Sequence, residues 1–136
     1  MNKVKPRNLD KISAEYGFKV VNKLKDNVKS TSIINMANKS IGILQENGIY
    51  AYFIWLDART NADDKEVGKE LKQISKKMLV RTGFFDSNRF NVDRLMKKIG
   101  SNFDQMVFIK QLIQSMLTYA LYRAKGLANS EGEKDE

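Results

Sequence analysis

The stretch LDKISAEYGFKVVNKLKDNV, residues 9–28, decides the fold class. Its apolar residues Leu9, Ile12, Tyr16, Val20, Leu24 and Val28 recur every three or four positions. At about 100° per residue, that spacing gathers them on one side of a helix. A half-buried strand would need strict alternation, which is absent. Gly17 lies inside the pattern and lowers helix propensity there.

The same spacing continues outward. Ser30, Thr31 and Ser32 offer caps for a second helix, with apolar face Ile33, Ala37, Ile41 and Leu44. Asn47-Gly48 supplies a left-handed stop. Ile49–Ala58 is apolar on almost every side, so it is either central to the core or covered by another chain. A strand would suit its residue types, but no second strand exists to pair with it. After the polar break Arg59–Asp64, the capping-box spacing of Asp63 and Glu66 opens a helix that runs to about Arg81 and ends at Thr82-Gly83. Phe84–Asn91 reads as a linker. Asn91 is positioned to cap a short helix, Val92–Ile99, closed by Gly100. Ser101 with Asp104 starts a last helix whose face is Ile109, Leu112, Ile113, Met116, Leu117, Ala120, Ala124 and Leu127. Met1–Asn8 reads as a loose basic lead, and Ser130–Glu136 as a disordered acidic tail. The expectation is one all-α domain, a compact bundle of five or six helices.

Composition agrees and excludes much else. The chain has 136 residues, 42% hydrophobic and 29% charged, with one Pro and eight Gly. That length fits one domain able to bury its own core, and so few turn residues argue against a barrel or sandwich. Without Cys or His, disulfides, thiolate nucleophiles, zinc fingers and His-based triads are impossible. The absence of Cys suits a cytoplasmic protein. Met1–Val28 has no continuous apolar stretch of the kind a signal peptide needs. The longest apolar run, Ile49–Leu56, is far too short to span a membrane. The net charge is +8; Ser130–Glu136 carries four acids and one Lys, leaving +11 on the rest. Such an excess favours polyanionic partners, nucleic acid or an anionic surface.

The sharpest charge pattern is Lys65, Lys69, Lys72 and Lys76, which fall within about 60° of one another on a helix, opposite Val67, Leu71, Ile74 and Met78. Neighbouring lysines one turn apart are ~5–6 Å apart, comparable with phosphate spacing along one strand. A solvated helix face explains such lysines equally well. Arg81, Arg89, Arg94, Lys97 and Lys98 follow, with Phe84, Phe85 and Phe90 between them. That interleaving suits phosphate contact with base stacking, although phenylalanines more often anchor a loop. Lys11, Lys25 and Lys29, diluted by Glu15, read as a solvated face. Tyr50, Tyr52 and Trp55 form a candidate protein-docking patch, against simple core packing. Asp63, Asp64 and Glu66 are acids of the type that holds Mg²⁺, but helix capping explains them more cheaply. There is no Gly-rich phosphate loop and no paired-carboxylate site, so the expectation is no catalysis, no metal and no cofactor.

Three segments carry a family resemblance. They are Ala14-Glu15-Tyr16; Ile43-Leu44-Gln45-Glu46-Asn47-Gly48-Ile49 running into Phe53-Ile54-Trp55-Leu56; and Leu117-Thr118-Tyr119-Ala120 through Ala124, followed by the charged tail. In this order, from about Asp10 to Asn129, the chain resembles the small helical subunit of the type III-B CRISPR effector, the Cmr complex. The Csm small subunit of type III-A complexes is a similar module. The resemblance implies a non-nuclease subunit of an antiviral ribonucleoprotein. It would stack on copies of itself and on a larger subunit, its basic surface lining the channel where target RNA pairs with guide RNA. Two other readings stand beside it. Asp64–Ile99 has room for a helix-turn-helix of a DNA-binding regulator, although the connection Thr82–Asn91 is long for that motif. A protein-interaction adaptor, whose charge serves only solubility, is the third. A membrane-surface role is the most distant reading, because the Lys65–Lys76 helix has no aromatic or bulky wedge on its apolar face.

Overall fold

The computed structural model describes residues 8–83, 92–99 and 102–135. Among them are six helices and no strand: α1 (Leu9–Leu24), α2 (Ser30–Asn47), α3 (Ile49–Asp57), α4 (Ala62–Arg81), α5 (Val92–Ile99) and α6 (Phe103–Asp135). The bundle is all-α, as the spacing predicts. α6, at 33 residues, is the spine. It packs mainly against α1 and α2, while α4 lies against α1, α2 and α3, and α5 packs on α3 and α6.

The core follows the sequence periodicity. Ile12, Tyr16, Val20 and Leu24 of α1 are buried, and they join Ile109, Ile113, Met116, Leu117, Ala120 and Ala124 of α6. α2 adds Ile33, Met36 and Leu44, and α4 adds Val67, Leu71, Ile74 and Met78. Ile41 and Leu127 pack at the margin of this core. Within α3, Ile49, Tyr52, Phe53 and Leu56 are buried, at the spacing of a single helix face, whereas Ile54 stays 57% exposed. The nearly all-apolar segment is therefore a helix with one side in the core.

Gly17 has a role that propensity does not suggest. A Cβ there would stand 2.7 Å from the Met116 carbonyl oxygen and 2.9 Å from the Ala120 nitrogen. α1 and α6 thus meet backbone against backbone. Tyr119, beside this point, donates its hydroxyl hydrogen to the Asp10 carboxylate, whose bond raises the phenol's pKa. Gly48, at φ +96°, both ends α2 and precedes α3, a conformation disfavoured for residues with a Cβ.

Several ends differ from the sequence reading. The cap of α4 is Asn61, whose Oδ1 accepts from the Asp63 and Asp64 amides at 3.0 and 3.3 Å. Asp63 therefore sits inside the first turn, where it accepts from Ser32 Oγ at 3.2 Å. Ser32 is committed to that bond, and α2 starts from Lys29 without a side-chain cap. Asn102, one residue past the expected Ser101, caps α6 by accepting from the Gln105 amide at 3.0 Å. The helix also runs on to Asp135, through the segment expected to be a disordered tail from Ser130. Extending an existing helix needs no new nucleation, which is the costly step. The expected caps and stops at Asn91, Gly100 and Ser101, and the basic lead Met1–Arg7, lie outside the described residues.

Candidate nucleic-acid interface

α4 presents opposite sides to core and solvent because its apolar and lysine residues share one period. Val67, Leu71, Ile74 and Met78 are buried, while Lys65 and Lys69 are exposed and Lys72 and Lys76 partly so. These four lysines form one wall of an open groove of about 780 Å³. The end of α3 (Leu56, Asp57) and the turn residues Arg59 and Thr60 complete it. Five cations and two acids, Asp57 and Glu66, are in its lining, so the groove carries a net positive charge.

The lysines are not equivalent. Lys72 Nζ is 3.0 Å from both carboxylate oxygens of Asp57. No ion pair engages Lys65, Lys69 or Lys76 among the described residues. Arg59 is fixed by two contacts. Its Nε donates to the Trp55 carbonyl at 3.0 Å, and its guanidinium carbon lies 4.1 Å from the centroid of the indole. On the neighbouring side of α4, Lys23 pairs with Glu70 at 3.3 Å, tying α1 to α4.

The other candidate residues scatter. Arg81 lies about 140° round the helix from Lys76. It is 3.1 Å from Glu15 and 5.7 Å from the Tyr16 ring centre, and Tyr16 first and Glu15 second hold its charge more firmly. It serves as a clasp between α1 and α4 rather than as part of the ridge. Arg94 and Lys97 are exposed on α5, outside the groove lining. Lys98 lies on the same helix but its side chain, like Arg89, Phe84, Phe85 and Phe90, falls outside the described residues. Lys11, Lys25 and Lys29 are exposed.

The candidate docking patch breaks apart. Tyr52 is fully buried, its hydroxyl 2.9 Å from Ser75 Oγ, and burial pushes its pKa well above the usual tyrosine range. It belongs to the α3–α4 core and is corrected from surface to interior, because its position one turn from Ile49 and Leu56 puts it on the buried face. Tyr50 is half-buried with its hydroxyl on Met106 Sδ at 4.0 Å, and Trp55 is half-buried beneath Arg59.

Sequence reasoning did not single out Asp57 or Arg59. Arg59 had a usable signal, since four residues separate it from Trp55, the spacing that stacks neighbours on a helix. The Asp57–Lys72 pair had none, since it depends on how α3 folds back on α4. Among the described residues no group of three or more acids is arranged to hold a metal ion, and no helix is long and apolar enough to cross a membrane. No family model, curated protein or solved structure matches the chain.

Proposed function

We propose that the chain is a non-catalytic, RNA-contacting subunit of a ribonucleoprotein, with the α4 groove as its phosphate-binding surface. The observation that carries this reading is the row Lys65, Lys69 and Lys76, which lines one groove without a paired acid among the described residues. Lys65 and Lys69 stand one helical turn apart and Lys76 two turns beyond, about 6 and 10 Å along the axis, spacings that suit successive and alternate phosphates of a strand, and each contact contributes affinity through counterion release. Phosphate contacts position a strand without reading its sequence, so selectivity belongs to base pairing elsewhere. The resemblance to the small subunit of type III-B CRISPR effectors supplies the context: guide and target RNA in a channel, with copies of the chain and larger subunits as neighbours. The outer edge of α3, where Ile54 is exposed, is the apolar face offered to such a neighbour.

The test is charge reversal of Lys65, Lys69, Lys72 and Lys76 to Glu, followed by RNA binding across a salt series. Affinity should fall at least about tenfold, equally for unrelated sequences, and the log–log salt slope should flatten by about 2–3. Reversing Arg94 and Lys97 instead should have little effect. Unchanged binding by the ridge variant, with its helical spectrum intact, would overturn the reading and favour the adaptor.

A further inference from the structure

Arg59 is held in a way that simple charge does not require. A surface arginine ordinarily samples many rotamers. Here the Nε bond to the Trp55 carbonyl and the 4.1 Å approach of the guanidinium carbon to the indole centre hold the side chain against the ring. The stem passes Gly68, its Cγ 3.6 Å from where a Cβ would stand, so the side chain lies level with the middle of the lysine row. Lys65 and Lys69 line the same groove on the α4 side. A phosphate needs only a positive charge, which a mobile lysine would supply. A flat guanidinium backed by an aromatic ring offers something further, a planar surface on which a nucleobase can stack.

We propose that Arg59, clamped on Trp55, is a base-stacking platform facing the lysine ridge, so that the groove takes a single strand of RNA with phosphates on the lysines and a base on the guanidinium. This rests on the reading of the ridge as an RNA surface and narrows it to unpaired RNA. In a duplex, the base faces are occupied by neighbouring bases and cannot reach the platform. Polyphosphate has no bases and gains nothing from it.

Trp55 is the sole tryptophan, so its emission reports on the platform directly. The probes are oligouridine and an inorganic polyphosphate of matched charge, with the full chain and its Arg59→Lys variant. Oligouridine should change the Trp55 emission and polyphosphate should not. Arg59→Lys keeps the charge, so polyphosphate binding and the salt slope should stay the same, while oligouridine binding should weaken about fivefold or more. The platform is overturned if Arg59→Lys alters neither ligand, or both equally, or if oligouridine leaves the Trp55 emission unchanged. In those cases the ridge reading still holds, provided the four-lysine reversal abolishes binding of both probes. Failure of that reversal removes the ridge reading itself.

Discussion

The seam between α1 and α6 and the seam between α3 and α4 are built by opposite means. At the first, Gly17 and Ala120 let two backbones touch, and buried apolar side chains flank the contact. At the second, large side chains hold the helices together from below. Tyr52 meets Ser75 in the core, while above them the helices part into a groove lined with charge. A tight seam resists change at nearly every atom, since interiors are packed to crystal density. An open one tolerates substitution at its rim. The contrast teaches that stability and the candidate binding surface occupy different sides of the bundle, so each can be perturbed without the other.

The hardest blow to this contrast would fall at Gly17. Adding a methyl group there should destabilise the protein by about 2 kcal/mol, because overpacking against α6 backbone outweighs the gain in helix propensity. The melting temperature should drop by about 8 °C, with RNA affinity unaffected below the transition. An unchanged melting curve would mean that the α1–α6 seam is no tighter than the other.

A smaller effect is expected beneath the groove. Tyr52→Phe should cost about 1 kcal/mol at neutral pH by leaving Ser75 without its partner. The pH dependence sharpens the point. Burial raises the folded-state pKa of Tyr52, so the unfolded chain releases this proton first, from about pH 10 upward. Stability from this group is complete below that pH and falls by about 1.4 kcal/mol per pH unit above it. Denaturant titrations should therefore find the advantage of Tyr over Phe gone by about pH 11. A constant gap from pH 8 to 11 would place Tyr52 in water.

The smallest stability effect should come from the rim. Asp57→Asn breaks an exposed ion pair and should change stability by no more than about 0.5 kcal/mol. It should instead tighten RNA binding about two- to threefold and steepen the salt slope by ~0.7, since Lys72 becomes available to a phosphate. A loss of stability above 1 kcal/mol would show that the two seams are less distinct than the geometry indicates.

Much of this architecture was legible in the sequence because burial in a helix is periodic. Leu9 through Leu24 and Ile109 through Ala124 could be assigned to faces without knowing what they touch. The lysine ridge was legible for the same reason. Other features were not. Gly17 looked like a weakness because propensity describes an isolated helix, whereas its value lies in a backbone about a hundred residues away. The groove needed Asp57 and Arg59, whose positions depend on α3 folding back on α4 after Gly48. Tyr52 and Trp55 looked alike as aromatic candidates, and only the register of α3 separates the buried ring from the half-covered one. Cap choice was also local but degenerate: Asn61 and Asp63 both qualify, and the side-chain bond from Ser32 to Asp63 distinguishes their roles.

The partnership of α1 with α6 also governs how the chain is made. Asp10 and Tyr119 meet across 109 residues of sequence. During translation at about 5–20 residues per second, α1 waits roughly 5–20 s before its partner segment has even been polymerised. Until then α4, made earlier, is the main native partner that α1 can find. The α1–α6 seam, with Gly17 against the α6 backbone, can therefore close only after the long helix has been made.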